Sequence, residues 1–352
     1  MSTPGPAAAR PAGWVVVGID NGGTANNSTV LTSDGTFLVD RLVEVPSRVV
    51  QGPGIAVESM VEALDTVLAA TDTPRVAVRA VGLDTPGPAS ADGVISSRGA
   101  TNFSAPEWWG FDVRGALEDR LGLPVVYNND GNAAALYAHH EHFGAESTQR
   151  SSVSAIVGTG LGGGVVERGQ VVRGAAGMAG ELGHIQIPMD GLLEPGQPMP
   201  ICNCGNAADV ESVASLTGIV KNLLPYWLSR YPDHPLAAMD VAVAAKAVRG
   251  LAAGGDELAL KVFAQQATAL GRLFTLAANF TDPHAYFVGG GVVETEPAFR
   301  DWFVAQILQA TDLRTEQRAA SEIALIPHLD MAGARGAAVA ALAVAARSPS
   351  DT

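Results

Sequence analysis

The sequence has few charges, few aromatic residues, two cysteines and no long apolar run. Charged residues make up 16% of the 352 residues and aromatic residues 6%, whereas an average soluble domain has about 25% charged residues. Two cysteines are too few for a disulfide scaffold, and the 47% of apolar residues is too high for a disordered chain. The longest run of small apolar residues, 336–346, has about half the length of a transmembrane helix. Residues 1–13 also lack the apolar core of a signal peptide, so we expect a cytoplasmic globular protein of about two domains.

The charges that are present are mostly acidic. The chain has 36 Asp and Glu residues against 22 Lys and Arg residues, and its formal net charge is −14. Such a surface repels nucleic-acid phosphates and anionic lipids. We therefore expect small-molecule partners, and neither nucleic acid nor a membrane.

Glycine is abundant, and two glycine-rich segments repeat one pattern. The 40 glycines exceed the usual share of about 7%. In each segment an apolar strand runs into a glycine turn and a returning strand follows: the turns are Asp20-Asn21-Gly22-Gly23-Thr24 and 158–164, which includes Thr159 and Gly160. Such turns present backbone N–H groups and a threonine hydroxyl to an anion. Neither is a P-loop, so we expect the two hairpins to bind phosphate, with Asp20 holding Mg²⁺ through water.

Between and after these hairpins, predicted helices and strands alternate, which indicates an α/β fold. The spacing predicts a third strand over 37–45, helices over 54–70, 112–121 and 131–143, and strands over 76–83, 124–127 and 285–288. A last helix over about 333–347 is apolar on all sides, which implies burial. We predict one domain over 1–128, to which that last helix returns, and a second over 129–332.

A third glycine cluster, Gly289-Gly290-Gly291, closes the predicted strand 285–288. Bare backbone there can lie against an adenine ring or ribose. It can equally be a tight turn with close packing, and the spacing leaves both interpretations open.

Asp130 lies where a predicted strand ends and a predicted helix begins, in the segment Asn128-Asn129-Asp130-Gly131-Asn132. A carboxylate at a helix start is favoured by the helix dipole, and a simple helix cap is the alternative role. Phosphoryl transfer to a hydroxyl needs phosphate donors, a metal ion and one carboxylate that orients and deprotonates the attacking oxygen. Asp130 is our candidate for that base.

The only two cysteines occur close to a histidine and two carboxylates. His184 precedes Cys202-Asn203-Cys204, and Asp209 and Glu211 follow. One imidazole, two thiolates and a carboxylate are a ligand set for tetrahedral zinc. Taken singly, each of these residues is more often a structural one.

Taken together, these motifs resemble the ROK family of repressors, open reading frames and sugar kinases. The resemblance covers about 14–346 and rests on seven motifs in the family's order: Asp20 to Thr24, Thr85-Pro86-Gly87, Asn129 to Asn132, 158–164, Glu181-Leu182-Gly183-His184, Cys202 to Gly205, and Gly289 to Gly291. It implies an actin-like, ribonuclease-H-like fold of two domains around a cleft, which takes ATP, Mg²⁺ and a sugar. It also implies a homodimer.

The resemblance assigns roles to individual residues. Asp130 is the general base on the primary hydroxyl of the sugar. The ring hydroxyls fall to Asn129, Glu181, His184 and Glu211, with Gly87 and Asn102 completing the pocket. His184 also binds a structural zinc ion, so that the metal would orient a substrate-binding residue.

The sequence departs from the family pattern at two places. The zinc motif has a third cysteine in the family, where this chain has Asp209, so the fourth ligand would be Asp209 or water. A lysine often follows the threonine of the first hairpin, and this chain has Ala25.

The resemblance leaves several functions open. We expect an ATP-dependent kinase for the primary hydroxyl of a hexose, glucose by default, with a kinase for an amino sugar or a cyclitol as the alternative. A non-catalytic sugar-binding regulator is a further alternative, although Asp130 is present. A repressor of the family carries a DNA-binding domain before the first hairpin; 13 residues precede Trp14, so we do not expect one.

Overall fold

The computed structural model describes residues 13–87, 90–95, 103 and 105–347. The chain forms two compact units. The first unit consists of 1–144, 171–179 and 328–352, and the second of 145–170 and 180–327. Asn102, which the sequence placed in the sugar pocket, lies outside the described residues.

The first unit is built on a five-stranded sheet in the order β3-β2-β1-β4-β5. Its strands are β1 (Val15–Asn21), β2 (Ala25–Thr32), β3 (Glu44–Pro46), β4 (Val78–Thr85) and β5 (Val125–Asn129). Its helices are α1 (Pro53–Ala70), α2 (Val113–Leu121) and α3 (Asp130–Phe143), together with the C-terminal α10 (Leu329–Ala345). The hairpin β1–β2 is antiparallel, whereas β4 and β5 run parallel to β1.

The second unit is built on a second sheet, in the order β10-β9-β6-β7-β8. Its strands are β6 (Ser151–Val157), β7 (Leu161–Glu167), β8 (Gln170–Val171), β9 (Ala285–Gly289) and β10 (Glu322–Leu325). Its helices are α4 (Leu216–Gly218), which a π turn over Ile219–Leu223 joins to α5 (Leu224–Arg230), then α6 (Val241–Ala253), α7 (Glu257–Thr281), α8 (Pro297–Ala310) and α9 (Thr315–Ala320). An antiparallel hairpin beside parallel strands recurs, so the repeated pattern and the α/β class are confirmed.

The predicted strand over 37–45 is wrong in extent. Phe37 forms only an isolated bridge with Leu31, and the third strand is the short β3. The exposed charged residues Asp40 and Arg41 interrupt the apolar alternation, so the chain leaves the sheet between the two pairings.

Helix α10 packs closely on the first sheet and on α3, and glycine and alanine residues line its closest contacts. A Cβ atom on Gly18 would lie 1.9 Å from the carbonyl oxygen of Ala334, and one on Gly82 would lie 1.9 Å from that of Ala337. A Cβ on Gly336 would lie 1.7 Å from the carbonyl oxygen of Ala133. These backbones touch directly, which explains why the helix is rich in small residues and buried, as predicted. The buried Arg335 departs from the apolar pattern and donates to the hydroxyl of Tyr137 on α3 at 2.8 Å.

The second unit has its own apolar core around α7, whose buried face includes Val262, Phe263, Leu270 and Phe274. Among the described residues, no helix combines the length and apolarity that a bilayer crossing requires.

Candidate functional site

The turn between β1 and β2 is held by a buried network of amide side chains. Gly22 donates its N–H to the carbonyl oxygen of Ala25 at 2.9 Å, which closes the turn. Asn21 and Asn26 are fully buried, and Nδ2 of Asn26 donates to Oγ of Ser59 on α1 at 3.0 Å. Nδ2 of Asn27 donates to Oδ2 of Asp20 at 3.2 Å. Buried side chains therefore fix the turn that the sequence assigned to phosphate. The side-chain amide of Asn27 orients the Asp20 carboxylate.

A second carboxyl group, Asp84, lies beside Asp20. The two residues are register partners on the parallel strands β1 and β4. Asp84 is fully buried, and neither of its carboxyl oxygens has a hydrogen-bond partner among the described residues. Burial raises the pKa of Asp84 well above its ordinary value, and the charges of Asp20 and Asp130 raise it further. Sequence reasoning missed Asp84, although a carboxylate directly after the apolar run 80–83 was a visible signal.

Asp130 is the first residue of α3, and the capping role falls to its neighbour. Oδ1 of Asn129 accepts the N–H of Asn132 at 2.8 Å, which makes Asn129 the N-cap. Oδ1 of Asp130 accepts the N–H of Gly131 at 2.7 Å. The carboxylate thus lies at the N-terminal end of the helix, which is the positive end of the helix dipole. Asn129, and not Asp130, therefore occupies the N-cap position of α3.

A shallow depression lies next to Asn129 in the first unit, and one side of it is formed by Arg173. Nη2 of Arg173 donates to Oδ1 of Asn128 at 3.0 Å, and its Nη1 donates to the carbonyl oxygen of Ala91 at 3.2 Å. Burial lowers the pKa of Arg173. The depression is lined by Ser90, Ala91, Tyr127, Asn128, Asn129, Asn132, Arg173 and Gly177. Arg173 carries no motif in the sequence, and only the fold brings it to Asn128.

Gly87 follows β4 directly, and a Cβ atom there would meet open space. Gly87, Asn129 and Asp130 thus belong to the first unit, at or just beyond the ends of β4 and β5. Glu181, His184 and Glu211 belong to the second.

The second predicted phosphate turn, between β6 and β7, is held by the segment that begins α4. Gly158 donates to the carbonyl oxygen of Gly160 at 2.9 Å. Thr217 donates both its N–H, at 3.1 Å, and its hydroxyl, at 2.8 Å, to the carbonyl oxygen of Thr159. Leu161 donates its N–H to Oε2 of Glu211 at 2.8 Å. Thr159 itself is exposed.

A cavity of about 280 Å³ opens beside this turn, within the second unit. Its lining is mostly apolar, with two cationic side chains: Val157, Gly158, Leu216, Ile219, Ala245, Lys246, Arg249, Phe263, Gln266, Gly291 and Val292. A Cβ on Gly290 would lie 2.0 Å from the carbonyl oxygen of Val157, so Gly290 serves close packing, whereas Gly291 lines the cavity. A concave apolar site with a few polar groups suits a nucleobase. Sequence reasoning missed Lys246 and Arg249, which lie on α6 far along the chain.

The structure brings together the four residues of the expected metal site. The ligand atoms of His184, Cys202, Cys204 and Asp209 all lie within 4.8 Å of one another. Nδ1 of His184 is 3.3 Å from Oδ2 of Asp209 and 3.8 Å from Sγ of Cys202, and Sγ of Cys204 is 3.7 Å from Oδ2 of Asp209. A zinc tetrahedron with bonds of about 2.0–2.3 Å has edges of about 3.3–3.8 Å. The donor set and spacing therefore fit zinc.

The side chain of Asp209 is held in position by a hydrogen bond to a neighbouring backbone N–H. It is fully buried, its Oδ1 accepts the N–H of Ser212 at 2.8 Å, and its Oδ2 lies toward His184. Glu181 begins the short helical turn that ends at His184 and is exposed.

Comparison with known proteins gives one consistent result. The ROK family model matches residues 16–344. A glucokinase of Halalkalibacterium halodurans is 34% identical over 281 residues, which span 78% of this chain and 80% of that protein. An N-acetylmannosamine kinase of Escherichia fergusonii is 30% identical over 296 residues, 82% of this chain and 87% of that one. The crystal structure of a ROK family glucokinase from Streptomyces griseus, in complex with glucose and AMPPNP, is 26% identical, covers 93% of this chain and 99% of its own, and has a TM-score of 0.64.

Proposed function

The chain belongs to the ROK family and has its actin-like fold, and we propose that it transfers the γ-phosphoryl group of ATP to the primary hydroxyl of a hexose, with glucose as the first candidate. The class of reaction is that of a sugar phosphotransferase. Glucose is the first choice because the glucokinase of Halalkalibacterium halodurans is 34% identical over 78% of the chain, whereas the N-acetylmannosamine kinase of Escherichia fergusonii is 30% identical over 82%.

The observation that carries the choice of Asp130 as the base is its place at the start of α3. Asn129 is the N-cap of the helix, so the N-cap role does not account for the carboxylate at position 130. In the proposed reaction Asp130 accepts the proton of the attacking hydroxyl. By resemblance to the family, the ring hydroxyls are assigned to Asn129, Glu181, His184 and Glu211, and Gly87 and Asn102 are assigned to the same sugar.

The donor is assigned to the glycine turns and the apolar cavity. The phosphates are bound by backbone N–H groups at Gly22, Gly23, Thr24, Thr159 and Gly160. The adenine ring of ATP is bound in the cavity beside Gly291. Mg²⁺, when bound near Asp20, neutralises charge on the phosphates during transfer. Ala25 supplies no cation after the first turn, and Lys246 and Arg249 lie at the cavity instead.

A structural zinc ion is assigned to His184, Cys202, Cys204 and Asp209. When bound, the ion ties the segment 202–209 to His184, and so orients a residue that we place on the sugar. The expected homodimer and cytoplasmic location remain predictions.

The proposal is tested by measuring ADP release from Mg²⁺-ATP across a panel of hexoses, N-acetylated and free amino sugars, and cyclitols, with Asp130→Asn as the blank. We expect turnover with glucose. Glucose 6-phosphate should then be identified by mass and by its coupling to a 6-phosphate-specific dehydrogenase. A panel without turnover, in a sample that binds a non-hydrolysable ATP analogue, would favour the non-catalytic regulator instead.

An amino sugar kinase is the second candidate, and the similarity to the N-acetylmannosamine kinase of Escherichia fergusonii favours it. The panel separates the two candidates through kcat/KM. A tenfold higher kcat/KM for an N-acetylated sugar than for glucose would replace the first proposal with this one.

A further inference from the structure

Glu211 reaches from the metal-site segment to the turn between β6 and β7. Its Oε2 accepts the N–H of Leu161 at 2.8 Å. A Cβ atom built on Gly160 would lie 2.5 Å from the same oxygen, and all three of the atoms nearest to that Cβ belong to Glu211. The carboxylate therefore lies directly against the turn, and only the lack of a side chain at Gly160 admits it.

The backbone of Glu211 is fixed independently of this contact. Its N–H donates to the carbonyl oxygen of Gly183 at 2.9 Å, and its carbonyl oxygen accepts the hydroxyl of Ser215 at 2.7 Å. Its second carboxylate oxygen, Oε1, lies 3.3 Å from Sγ of Cys202. Because the backbone of Glu211 and its Oε1 atom both have partners, the side chain has little freedom to move. The position of Oε2 therefore determines where the N–H of Leu161 lies.

The segment that follows Glu211 holds the rest of the same turn. Leu216 donates to the carbonyl oxygen of Gly158 at 3.0 Å, and Thr217 donates to that of Thr159 at 3.1 Å. These bonds engage the carbonyl oxygens of the turn, whereas Glu211 accepts an N–H group of the turn. Together they fix the direction in which the N–H groups of Thr159 and Gly160 point.

We propose that Glu211 is a positioning residue for the phosphate-binding turn 158–161, in addition to its assigned contact with the sugar. The inference rests on the proposed function insofar as that turn binds the phosphates of the donor. A carboxylate that accepts the N–H of Leu161 keeps that group from the phosphates and sets the path of the two residues before it. Loss of this contact weakens donor binding as well as sugar binding.

The test is a double-mutant cycle on nucleotide affinity. The dissociation constant of the non-hydrolysable analogue AMPPNP with Mg²⁺ is measured by calorimetry, without sugar, for the wild type and for Gly160→Ala, Glu211→Ala and the double variant. Gly160→Ala should weaken binding about tenfold in the wild-type background, because the added methyl group displaces the carboxylate. In the Glu211→Ala background the same change should cost less than about twofold.

Two conservative variants separate positioning from a general structural role. Glu211→Gln keeps an oxygen that accepts the N–H of Leu161, so its nucleotide affinity should stay within about threefold of the wild type. Glu211→Asp is one methylene shorter and should behave as Glu211→Ala. Circular dichroism, thermal unfolding and the bound metal content are measured for each variant, to check that the fold and the metal site persist.

Additive effects in the cycle, or an unchanged nucleotide affinity in Glu211→Ala together with a raised KM for sugar, would overturn the inference and leave Glu211 a sugar ligand only. A wild type that does not bind AMPPNP would overturn it as well. Coupling between Gly160 and Glu211 in a protein that turns over no sugar of the panel would support it while removing the proposed function.

Discussion

Asp20 and Asp84 face each other across β1 and β4, and both carboxyl groups lie against the α-carbon of Gly333. A Cβ atom on Gly333 would lie 3.0 Å from Cγ of Asp20 and 3.0 Å from Oδ2 of Asp84. The first turn of α10 thus covers a pair of acidic groups, one of which is fully buried. Burial raises the pKa of Asp84 well above its ordinary value, and the neighbouring charge of Asp20 raises it further, so the pair favours a proton on Asp84.

Replacing Asp84 by Asn should therefore stabilise the protein in buffer without divalent cations. The folded-state pKa of Asp84 is raised, so the stability linked to its proton is complete below the unfolded pKa of about 3.9 and is lost as the pH rises through the folded value. Asp84→Asn removes this loss, and at pH 8 the variant should be more stable by about 1–3 kcal/mol. Urea unfolding of both proteins from pH 4 to pH 8 measures the difference in their free energies of unfolding. A constant difference over that range would contradict the assignment.

Substitution by alanine should have opposite effects on stability at two helical glycines, one in the packed helix α10 and one in α6. In Gly336→Ala the new methyl group would meet the backbone of Ala133, and overpacking of this kind costs about 1–3 kcal/mol or more. Gly250 lies on the exposed side of α6, where a Cβ meets open space. Gly250→Ala should stabilise by about 0.5–1 kcal/mol. Thermal unfolding of the two variants measures both, and equal shifts would refute the close contact.

Asp130→Asn should lower kcat by about two orders of magnitude or more, because general base catalysis contributes about that much. Sugar affinity, measured by calorimetry, should change little. Asp65→Asn is the matched control, since Asp65 is an exposed residue of α1 whose partner is Arg75. If Asp130→Asn retained wild-type kcat, another group would be the base.

The metal site predicts about one zinc ion per chain in the purified protein, since each chain has one tetrahedral donor set. Cys202→Ser and Asp209→Ala should each reduce the bound zinc, and a chelator should lower the melting temperature of the wild type but shift that of the variants much less. Elemental analysis and differential scanning fluorimetry give the two readings. Equal zinc in wild type and Asp209→Ala would leave water as the fourth ligand.

Local pattern was sufficient for most elements of secondary structure. The helices α1, α2 and α3 and the strands β4, β5 and β9 lie within two residues of their predicted bounds, because apolar periodicity and turn residues are properties of short segments. Pattern failed over 37–45, where a strand needed a partner along its whole length and found one only at its ends.

The sequence by itself determined the repeated hairpins and the order of the motifs, since each depends on short segments and their spacing, and it also predicted which four residues would lie together as a candidate metal site. Tertiary structure alone decided that Asp84 is buried beside Asp20, that Arg173 meets Asn128 and that Glu211 reaches Leu161. These residues are separated by 64, 45 and 50 positions. Their contacts depend on strand order and helix packing, and no periodicity within one segment can encode them.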